Sequence, residues 1–116
     1  MSHDPTCLFC RIAAGEIPAQ RVYESEDLLG FRDIDPKAPT HVLLIPREHV
    51  ASMAALGEPD AGWVGRLFLA AGEVARAEGL TGGWRVVSNV GSDGGQSVDH
   101  LHVHLLGGRR LGWPPG

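Results

Sequence analysis

Three histidines stand at every second position near the carboxyl end of this 116-residue chain. His100, His102 and His104 lie in the otherwise apolar run "SVDHLHVHLLGG". An imidazole has an ordinary pKa of about 6.5, so near pH 7 it can act as a nucleophile or base, bind a metal, or contact an anion when protonated. The histidines alone leave these three kinds of site open, and the neighbouring residues must decide between them.

The alternation of polar and apolar residues is typical of a β-strand, in which successive side chains point to opposite faces. It predicts that the three histidines share one face and that Leu101, Val103 and Leu105 share the other. We expect the apolar face to pack on the core and the histidines to look outward. Neighbouring histidines would then lie roughly 6.5 to 7 Å apart at the Cα, close enough to act on one ligand.

A glycine-rich loop directly precedes the histidines. Residues 91–97 read "GSDGGQS", with three glycines in seven positions. Glycines let backbone N–H groups turn toward a bound anion, and Gln96 and Ser97 add side-chain donors. Such a loop is a weak signal alone, but beside a row of histidines it favours a ligand that carries a phosphate.

The two cysteines, Cys7 and Cys10, have C-x-x-C spacing. The polar start "MSHDPT" lacks the apolar segment of a secretory signal, which disfavours a disulfide framework. A redox pair, two buried thiols and one half of a metal site all remain consistent with this spacing.

Composition narrows the class of protein. The chain is 43% hydrophobic and 21% charged with a net charge of −4, which predicts one globular domain over residues 1–116 and argues against a general nucleic-acid surface. No apolar run approaches the roughly 20 residues that span a bilayer. We therefore expect a cytoplasmic protein that binds a small molecule, with residues 1–5 as a flexible amino terminus.

The order of predicted elements is one helix, three strands, two helices and two strands, which indicates an α+β fold on a mostly antiparallel sheet. A short helix begins at an N-cap on Thr6, and the longest helix runs from Pro59 to Glu78 and ends before Gly79. The remaining segments are the strands "RVYES", "LLGFRDI", "THVLLIP", "WRVVSNV" and "VDHLHVHLL" and the short helical pattern "REHVASMAAL".

The motif "HLHVHLL" resembles the signature of the histidine-triad (HIT) superfamily. The segments "FRDIDPKAPTHVLLIPREH", "VSNVGSDGGQSVDHLHVHLLGGR" and "WPPG" are similar to its Hint branch, the histidine-triad nucleotide-binding proteins. The resemblance runs from Cys7 to Gly116. It implies a HIT-like fold: a five-stranded, mostly antiparallel sheet with one long helix and a short N-terminal helix, dimerising into a ten-stranded sheet.

The resemblance implies a hydrolase that cleaves the P–N bond of purine nucleoside 5′-phosphoramidates and needs no cofactor for catalysis. His102 matches the nucleophile that forms a nucleotidyl-histidine. His104 matches the residue that faces the phosphate oxygens or the leaving group. The backbone carbonyl of His100 would hold the other ring nitrogen of His102, and His41 would support the triad.

The same resemblance assigns a nucleotide-binding set. Asp33 matches the ribose ligand, although an aspartate before a turn is also a common cap. Apolar contacts to the base match Leu8, Phe9, Ile12 and Ile34, for which plain core packing is an equally good interpretation. On the phosphate side the matching residues are Asn89, Gly95, Gln96 and Ser97, together with His102 and His104.

Two further expectations come from the family. Some bacterial members carry zinc on residues that match Cys7, Cys10, His49 and His100; four protein ligands make a closed, structural site. The C-terminal segment, residues 107–116, would reach the partner's active site in a homodimer, which gives Trp113 a docking place.

Three alternatives to a phosphoramidase stay open. The neighbouring fragile-histidine-triad branch splits dinucleoside polyphosphates, although "WPPG" and "GSDGGQS" favour the Hint branch. A nucleotide-binding scaffold or regulatory protein with incidental catalysis is the second alternative. Zinc storage is the least favoured, because one closed site is a poor reservoir.

Overall fold

The fold is an antiparallel sheet of five strands with one long helix. The computed structural model describes residues 3–116, so Met1 and Ser2, part of the predicted flexible terminus, lie outside the described residues. The order of strands across the sheet is β1-β2-β3-β5-β4. The elements are α1 (Leu8–Ala13), β1 (Arg21–Glu24), β2 (Leu28–Arg32), β3 (Thr40–Pro46), α2 (Ala61–Ala77), β4 (Trp84–Val87) and β5 (Val103–Gly107). The predicted α+β class and five-stranded sheet are confirmed.

Strand β3 is the centre of the sheet. It is apolar along most of its length and all seven of its residues are buried, as its sequence "THVLLIP" predicts. It pairs with β2 on one side and with β5 on the other. In the second pairing Leu43 stands opposite His104 and His41 opposite Leu106, so the register of these strands fixes the relative positions of His41 and His104.

Helix α2 covers one face of the sheet. Its buried residues Leu67, Ala71 and Val74 belong to the same core cluster as Leu44 and Leu105 of the sheet. Leu101 and Val103 join this cluster. The apolar face predicted from the alternation is therefore confirmed, and it packs against α2.

Helix α1 covers the opposite face, and this overturns the expectation that the histidines look outward. Phe9 and Ile12 of α1 pack with Phe31 and other residues of that face. His100 is fully buried and His102 is 3% exposed. The physical reason is that a short sheet sandwiched between two helices has an interior on both faces, so alternation alone cannot tell solvent from a second core.

The strand predicted over "VDHLHVHLL" is shorter than its pattern suggests. Strand β5 begins at Val103, and His100 and His102 lie in the segment that leads into it. The backbone N–H of Leu101 instead donates to the carbonyl of Val50, 2.6 Å away. Only His104 of the three histidines belongs to the sheet ladder.

The predicted helix in "REHVASMAAL" is wrong. The segment forms a single 3-10 turn, Met53–Ala55, after Ser52, whose side chain accepts a hydrogen bond from the N–H of Ala54. A second 3-10 turn, Glu58–Asp60, leads into α2. The pairing of Val50 with Leu101 keeps the first part of the segment extended, which leaves too few residues for a helix.

The two helix starts also differ from prediction. Helix α1 is capped by Cys7, whose Sγ accepts from the N–H of Cys10 at 3.3 Å, whereas Thr6 donates from its N–H and hydroxyl to the carboxylate of Asp4. Pro59 lies in the 3-10 turn that precedes α2. Gly79 follows the helix with a φ of +72°, as expected of a C′ glycine.

The described residues contain no helix long and apolar enough to cross a membrane.

Near the amino terminus, the carbonyl of Asp4 accepts a hydrogen bond from the N–H of Cys7, which ties residue 4 to α1. At the other end, Gly107 still belongs to β5, and the side chain of Trp113 is 83% exposed.

Candidate active site and metal centre

His102 is held in one tautomer by the backbone. Its Nδ1 lies 2.7 Å from the carbonyl oxygen of His100. A carbonyl can only accept, so Nδ1 carries the hydrogen and Nε2 presents a lone pair. This is the contact that the family resemblance implies, and it leaves an unprotonated ring nitrogen suited to nucleophilic attack.

A chain of hydrogen bonds assigns the tautomers of His41 and His104. The backbone N–H of Lys37 donates to Nδ1 of His41 at 3.0 Å, so the neutral ring carries its hydrogen on Nε2. That Nε2 lies 2.9 Å from Nδ1 of His104 and donates to it. His104 therefore carries its hydrogen on Nε2, and its ring centroid lies 5.0 Å from that of His102. A lone pair and an N–H donor thus stand on adjacent rings.

Burial keeps these imidazoles neutral. It lowers the pKa of His104 to about 4, with the neighbouring His102 and His41 acting in the same direction. Burial also lowers the pKa of His41, although the carboxylate of Asp33 opposes the shift. At pH 7 both rings are uncharged, so His104 acts as a neutral hydrogen-bond donor rather than as a cation.

Asp33 lies at the end of β2, beside His41. Its backbone N–H donates to the carbonyl of His41 at 3.0 Å, and its Oδ2 lies 3.5 Å from Nε2 of the same residue. Its Oδ1 accepts from the N–H of Asp35 at 2.8 Å. The carboxylate therefore caps a turn, which is the alternative role that the sequence allows for Asp33. Its other oxygen, Oδ2, is directed toward His41.

The four apolar residues assigned to the base divide into two pairs. Phe9 and Ile12 are buried, and the ring of Phe9 stands edge-on to that of His102 with 5.1 Å between centroids. Leu8 is 45% exposed and Ile34 is fully exposed. The buried pair builds the core beneath the histidines, and the exposed pair offers apolar surface to a ligand.

The glycine-rich loop, residues 91–97, is a turn stabilised by hydrogen bonds from the side chain of Gln96 to the backbone. Gly91 and Gly95 have φ values of +70° and +83°, the left-handed region that favours glycine. Oε1 of Gln96 accepts from the N–H of Gly91, and its Nε2 donates to the carbonyls of Ala51 and Val98. Both amide hydrogens of Gln96 are thus engaged with the backbone, so its side chain shapes the loop. Ser97 is exposed and Asn89 half-buried.

A cluster of two thiols and two imidazoles lies beside the triad, on the α1 side of the sheet. Nδ1 of His100 is 3.3 Å from Sγ of Cys7 and 3.5 Å from Sγ of Cys10. Nδ1 of His49 is 3.3 Å from Sγ of Cys10. One ligand atom from each of the four residues lies within 4.8 Å of the others. The structure therefore brings together all four predicted zinc ligands.

The chemistry of this cluster fits a tetrahedral metal. Nε2 of His100 lies 2.8 Å from the carbonyl oxygen of Pro46, so it carries the hydrogen and leaves the Nδ1 lone pair directed at the thiols. Burial lowers the pKa of His100 to about 4, so this lone pair is free at neutral pH. Two sulfur and two nitrogen ligands suit zinc and leave no open position.

Three positioning groups were missed by sequence reasoning. The hydroxyl of Ser88 donates to the carbonyl of His102 at 3.0 Å. The carbonyl of Pro46 orients His100, and the N–H of Lys37 orients His41. The serine directly follows β4 and could have been considered on that ground, but the two backbone groups have no signature in a sequence.

Comparison with known proteins identifies the family. The family model of the HIT domain matches residues 14–111. A "14 kDa zinc-binding protein" of Zea mays is 49% identical over 115 residues, covering 97% of this chain and 90% of its own length. An uncharacterized HIT-like protein of Synechococcus elongatus is 47% identical over the full length of both chains. The crystal structure of a HIT family hydrolase from Legionella pneumophila superposes with a TM-score of 0.94 at 51% identity, covering 96% of this chain and all of that one.

Proposed function

Because this chain belongs to the HIT domain family, we propose that it is a nucleotide-binding hydrolase that cleaves the P–N bond of purine nucleoside 5′-phosphoramidates. One observation carries the proposal: the 2.7 Å contact between Nδ1 of His102 and the carbonyl of His100 leaves the Nε2 lone pair free beside the N–H donor of His104. The similarity to a HIT family hydrolase from Legionella pneumophila supports the general class of reaction.

In the first step Nε2 of His102 attacks the α-phosphorus. A new N–P bond forms, the P–N bond to the amine breaks, and the amine leaves after taking up a proton. The ring of His102 gains positive charge as it attacks, and the carbonyl of His100 stabilises that charge through the Nδ1–H. Nε2–H of His104 supplies a hydrogen bond to a phosphate oxygen, and the leaving amine takes its proton from solvent water.

In the second step water attacks the phosphorus of the nucleotidyl-histidine. The His102–phosphorus bond breaks, Nε2 recovers its lone pair, the attacking water releases a proton to solvent, and the nucleoside monophosphate departs. Imidazole serves both steps because it is a good nucleophile when neutral and a good leaving group when attached to phosphorus. The resting tautomer of His102 is therefore the same before and after each turnover.

The rest of the nucleotide contacts the outer part of the site. We assign the ribose hydroxyls to Oδ2 of Asp33 and the base to the exposed side chains of Leu8 and Ile34. Apolar contacts of this kind accept adenine and guanine alike. Asn89, Gly95, Gln96 and Ser97 complete the phosphate side, where Gln96 acts by shaping the loop.

We assign zinc to Cys7, Cys10, His49 and His100. When bound there, the metal supplies cross-linking between α1 and the segments that carry the two histidines, and it takes no part in the reaction. The sulfur ligands need a reducing compartment, which agrees with a cytoplasmic location. The zinc-binding protein of Zea mays supports this assignment.

We further propose that the single HIT domain, residues 1–116, forms a homodimer. Strand β4 is an edge of the sheet, and Phe68 of α2 and Trp84 of β4 are large apolar side chains that stand exposed. Pairing of two β4 edges would produce the ten-stranded sheet, and residues 107–116 would carry the exposed Trp113 to the partner. Light scattering on a size-exclusion column should give twice the mass of one chain; a monomer mass contradicts this assembly.

The decisive experiment is mass spectrometry of the protein quenched during turnover of adenosine monophosphoramidate. We expect a nucleotidyl adduct on His102 in the parent and no adduct or turnover in His102→Ala. His3→Ala removes an exposed histidine near the amino terminus, far in sequence from His102, and should behave as the parent. Parent-level turnover in His102→Ala would refute the nucleophile assignment.

Faster cleavage of a dinucleoside polyphosphate than of the phosphoramidate would favour the fragile-histidine-triad reaction. Slow turnover of every substrate with tight nucleotide binding would favour a scaffold.

A further inference from the structure

We propose that the centre formed by Cys7, Cys10, His49 and His100 controls the nucleotide site, because metal binding there fixes the backbone carbonyl that orients His102. This inference rests on the proposed function and adds a means of regulating it. It makes His100 a positioning residue shared by two sites rather than a catalytic residue.

His100 takes part in both sites with different atoms. Its Nδ1 faces the thiols of Cys7 and Cys10 at 3.3 and 3.5 Å, while its own carbonyl oxygen lies 2.7 Å from Nδ1 of His102. The side chain is fully buried. Since side chain and carbonyl are joined through one Cα, a shift of the imidazole also moves the acceptor that fixes the tautomer of His102.

Helix α1 provides a second connection between the two sites. Cys7 caps the helix and Cys10 lies in its first turns, with Phe9 between them. The ring of Phe9 stands edge-on to both His100 and His102, with centroid distances of 5.9 and 5.1 Å. A ligand that holds both thiols therefore also holds Phe9 against the nucleophile and positions Leu8, the exposed apolar residue beside it.

Metal binding changes the strength of these connections. A thiol is a weak hydrogen-bond donor and acceptor, so contacts of 3.3 to 3.5 Å between sulfur and imidazole restrain the chain little. Zinc, when bound, would replace them with coordinate bonds to all four ligand atoms, which are much stronger. The four ligands come from the start of α1, the segment after β3 and the segment before β5, so one ion joins three parts of the chain.

Coupling between two sites is reciprocal. If zinc raises the affinity for a nucleotide, the nucleotide must raise the affinity for zinc by the same factor. We expect a factor of about ten, within the usual range for coupled sites. We also expect the Nδ1–H tautomer of His102 to dominate in both forms, with a larger minor fraction of the Nε2–H tautomer in the metal-free protein.

The test compares zinc-loaded and chelator-treated protein, both shown to be folded by circular dichroism. Calorimetry with adenosine monophosphate should give an affinity about tenfold weaker for the metal-free form. Nitrogen NMR of the imidazoles should show only the Nδ1–H tautomer of His102 in the loaded form and a measurable minor fraction of the Nε2–H tautomer without metal. Equal nucleotide affinity and an unchanged single tautomer in the two forms would overturn the proposal.

Two variants separate metal binding from a general loosening of α1. His49→Gln removes a ligand that does not contact His102, and it should show weakened nucleotide binding even with zinc present. Arg11→Ala removes the exposed ion pair with Glu16, 3.4 Å long, and no metal ligand. It should keep the full dependence on zinc. Where chelation unfolds the parent, equal affinity of His49→Gln and parent for adenosine monophosphate in zinc would overturn the coupling.

The coupling and the proposed function fail in distinguishable ways. Nucleotide affinity and the tautomer of His102 are measured without turnover. Zinc-dependent affinity without any nucleotidyl adduct would refute the hydrolase and leave the coupling intact. An adduct that forms at the same rate in folded metal-free and zinc-loaded protein would refute the coupling and leave the hydrolase intact.

Discussion

Nε2 of His41 donates a hydrogen bond of 2.9 Å to Nδ1 of His104, and this single contact sets which ring nitrogen of His104 carries its hydrogen. The direction of this hydrogen bond is set by Lys37, whose backbone N–H donates to Nδ1 of His41. The hydrogen of the His41 ring must therefore be on Nε2. A proton on Nδ1 of His104 would meet the N–H of His41 head-on. The pair therefore favours two neutral rings, in agreement with the lowered pKa of both.

Replacing His41 with alanine should slow turnover by about 10- to 100-fold, the size of effect known for histidines that lose an orienting partner in metal sites. Without the donor, His104 is free to adopt the other tautomer and loses its Nε2–H. We expect kcat to fall and KM to change little, measured with adenosine monophosphoramidate. His41→Gln, whose amide can also donate, should recover part of the rate. An unchanged kcat in the alanine variant would contradict the role of His41.

The lowered pKa of His104 predicts how stability depends on pH. The unfolded chain protonates this ring near pH 6.5, whereas the folded protein does so only near pH 4. Between these values the unfolded state binds more protons, so the free energy of unfolding is greatest above pH 6.5 and decreases as the pH falls toward 4. Urea unfolding at a series of pH values measures this directly.

A matched variant isolates the contribution of His104. In His104→Gln the decrease in unfolding free energy between pH 6.5 and 5 should be smaller than in the parent, because one buried imidazole is gone. His41 and His100, whose pKa values are also lowered by burial, account for the part that remains. Curves that run parallel for variant and parent would show that His104 titrates normally in the folded protein.

Residue patterns predict the sheet well and the burial of the histidines poorly. Five segments with strand character became five strands, and Leu101, Val103 and Leu105 entered the core as their alternation predicts. The burial of His100 and His102 depends on α1, a short helix whose packing is decided by the tertiary fold. A pattern of period two reports that two faces differ, and it does not report what covers them.

Candidate site residues could be predicted where the side chain itself is the ligand or the reacting group. The four predicted zinc ligands and the histidines came together as the family resemblance implied. The groups that orient them could not be predicted, since the carbonyl of Pro46 and the N–H of Lys37 exist at almost any position. Gln96 was assigned to the phosphate from its donors, yet the loop itself uses both of its amide hydrogens.

Asp33→Asn should weaken binding of a ribonucleotide more than binding of its dideoxy analogue. We assign the ribose to Oδ2 of Asp33, and hydrogen bonds to a charged group contribute about 1.5 to 3 kcal/mol. We therefore expect a loss of roughly ten- to hundredfold in affinity for adenosine monophosphate. Binding of the 2′,3′-dideoxy nucleotide should change little. Equal losses for both nucleotides would indicate that Asp33 acts only as a cap.

Gly108→Ala should destabilise the junction that sets the register of β3 and β5, the strands that carry His41 and His104. Gly108 has a φ of +92°, and a Cβ there would lie 2.8 Å from Cβ of Pro39, next to the paired residues Thr40 and Gly107. We expect a loss of about 2 to 4 kcal/mol in unfolding free energy, from backbone strain and overpacking together. Gly79→Ala, at a φ of +72° with no atom within 4 Å, should lose only about 1 kcal/mol from strain. Chemical denaturation measures both, and equal losses would show that the contact with Pro39 contributes nothing.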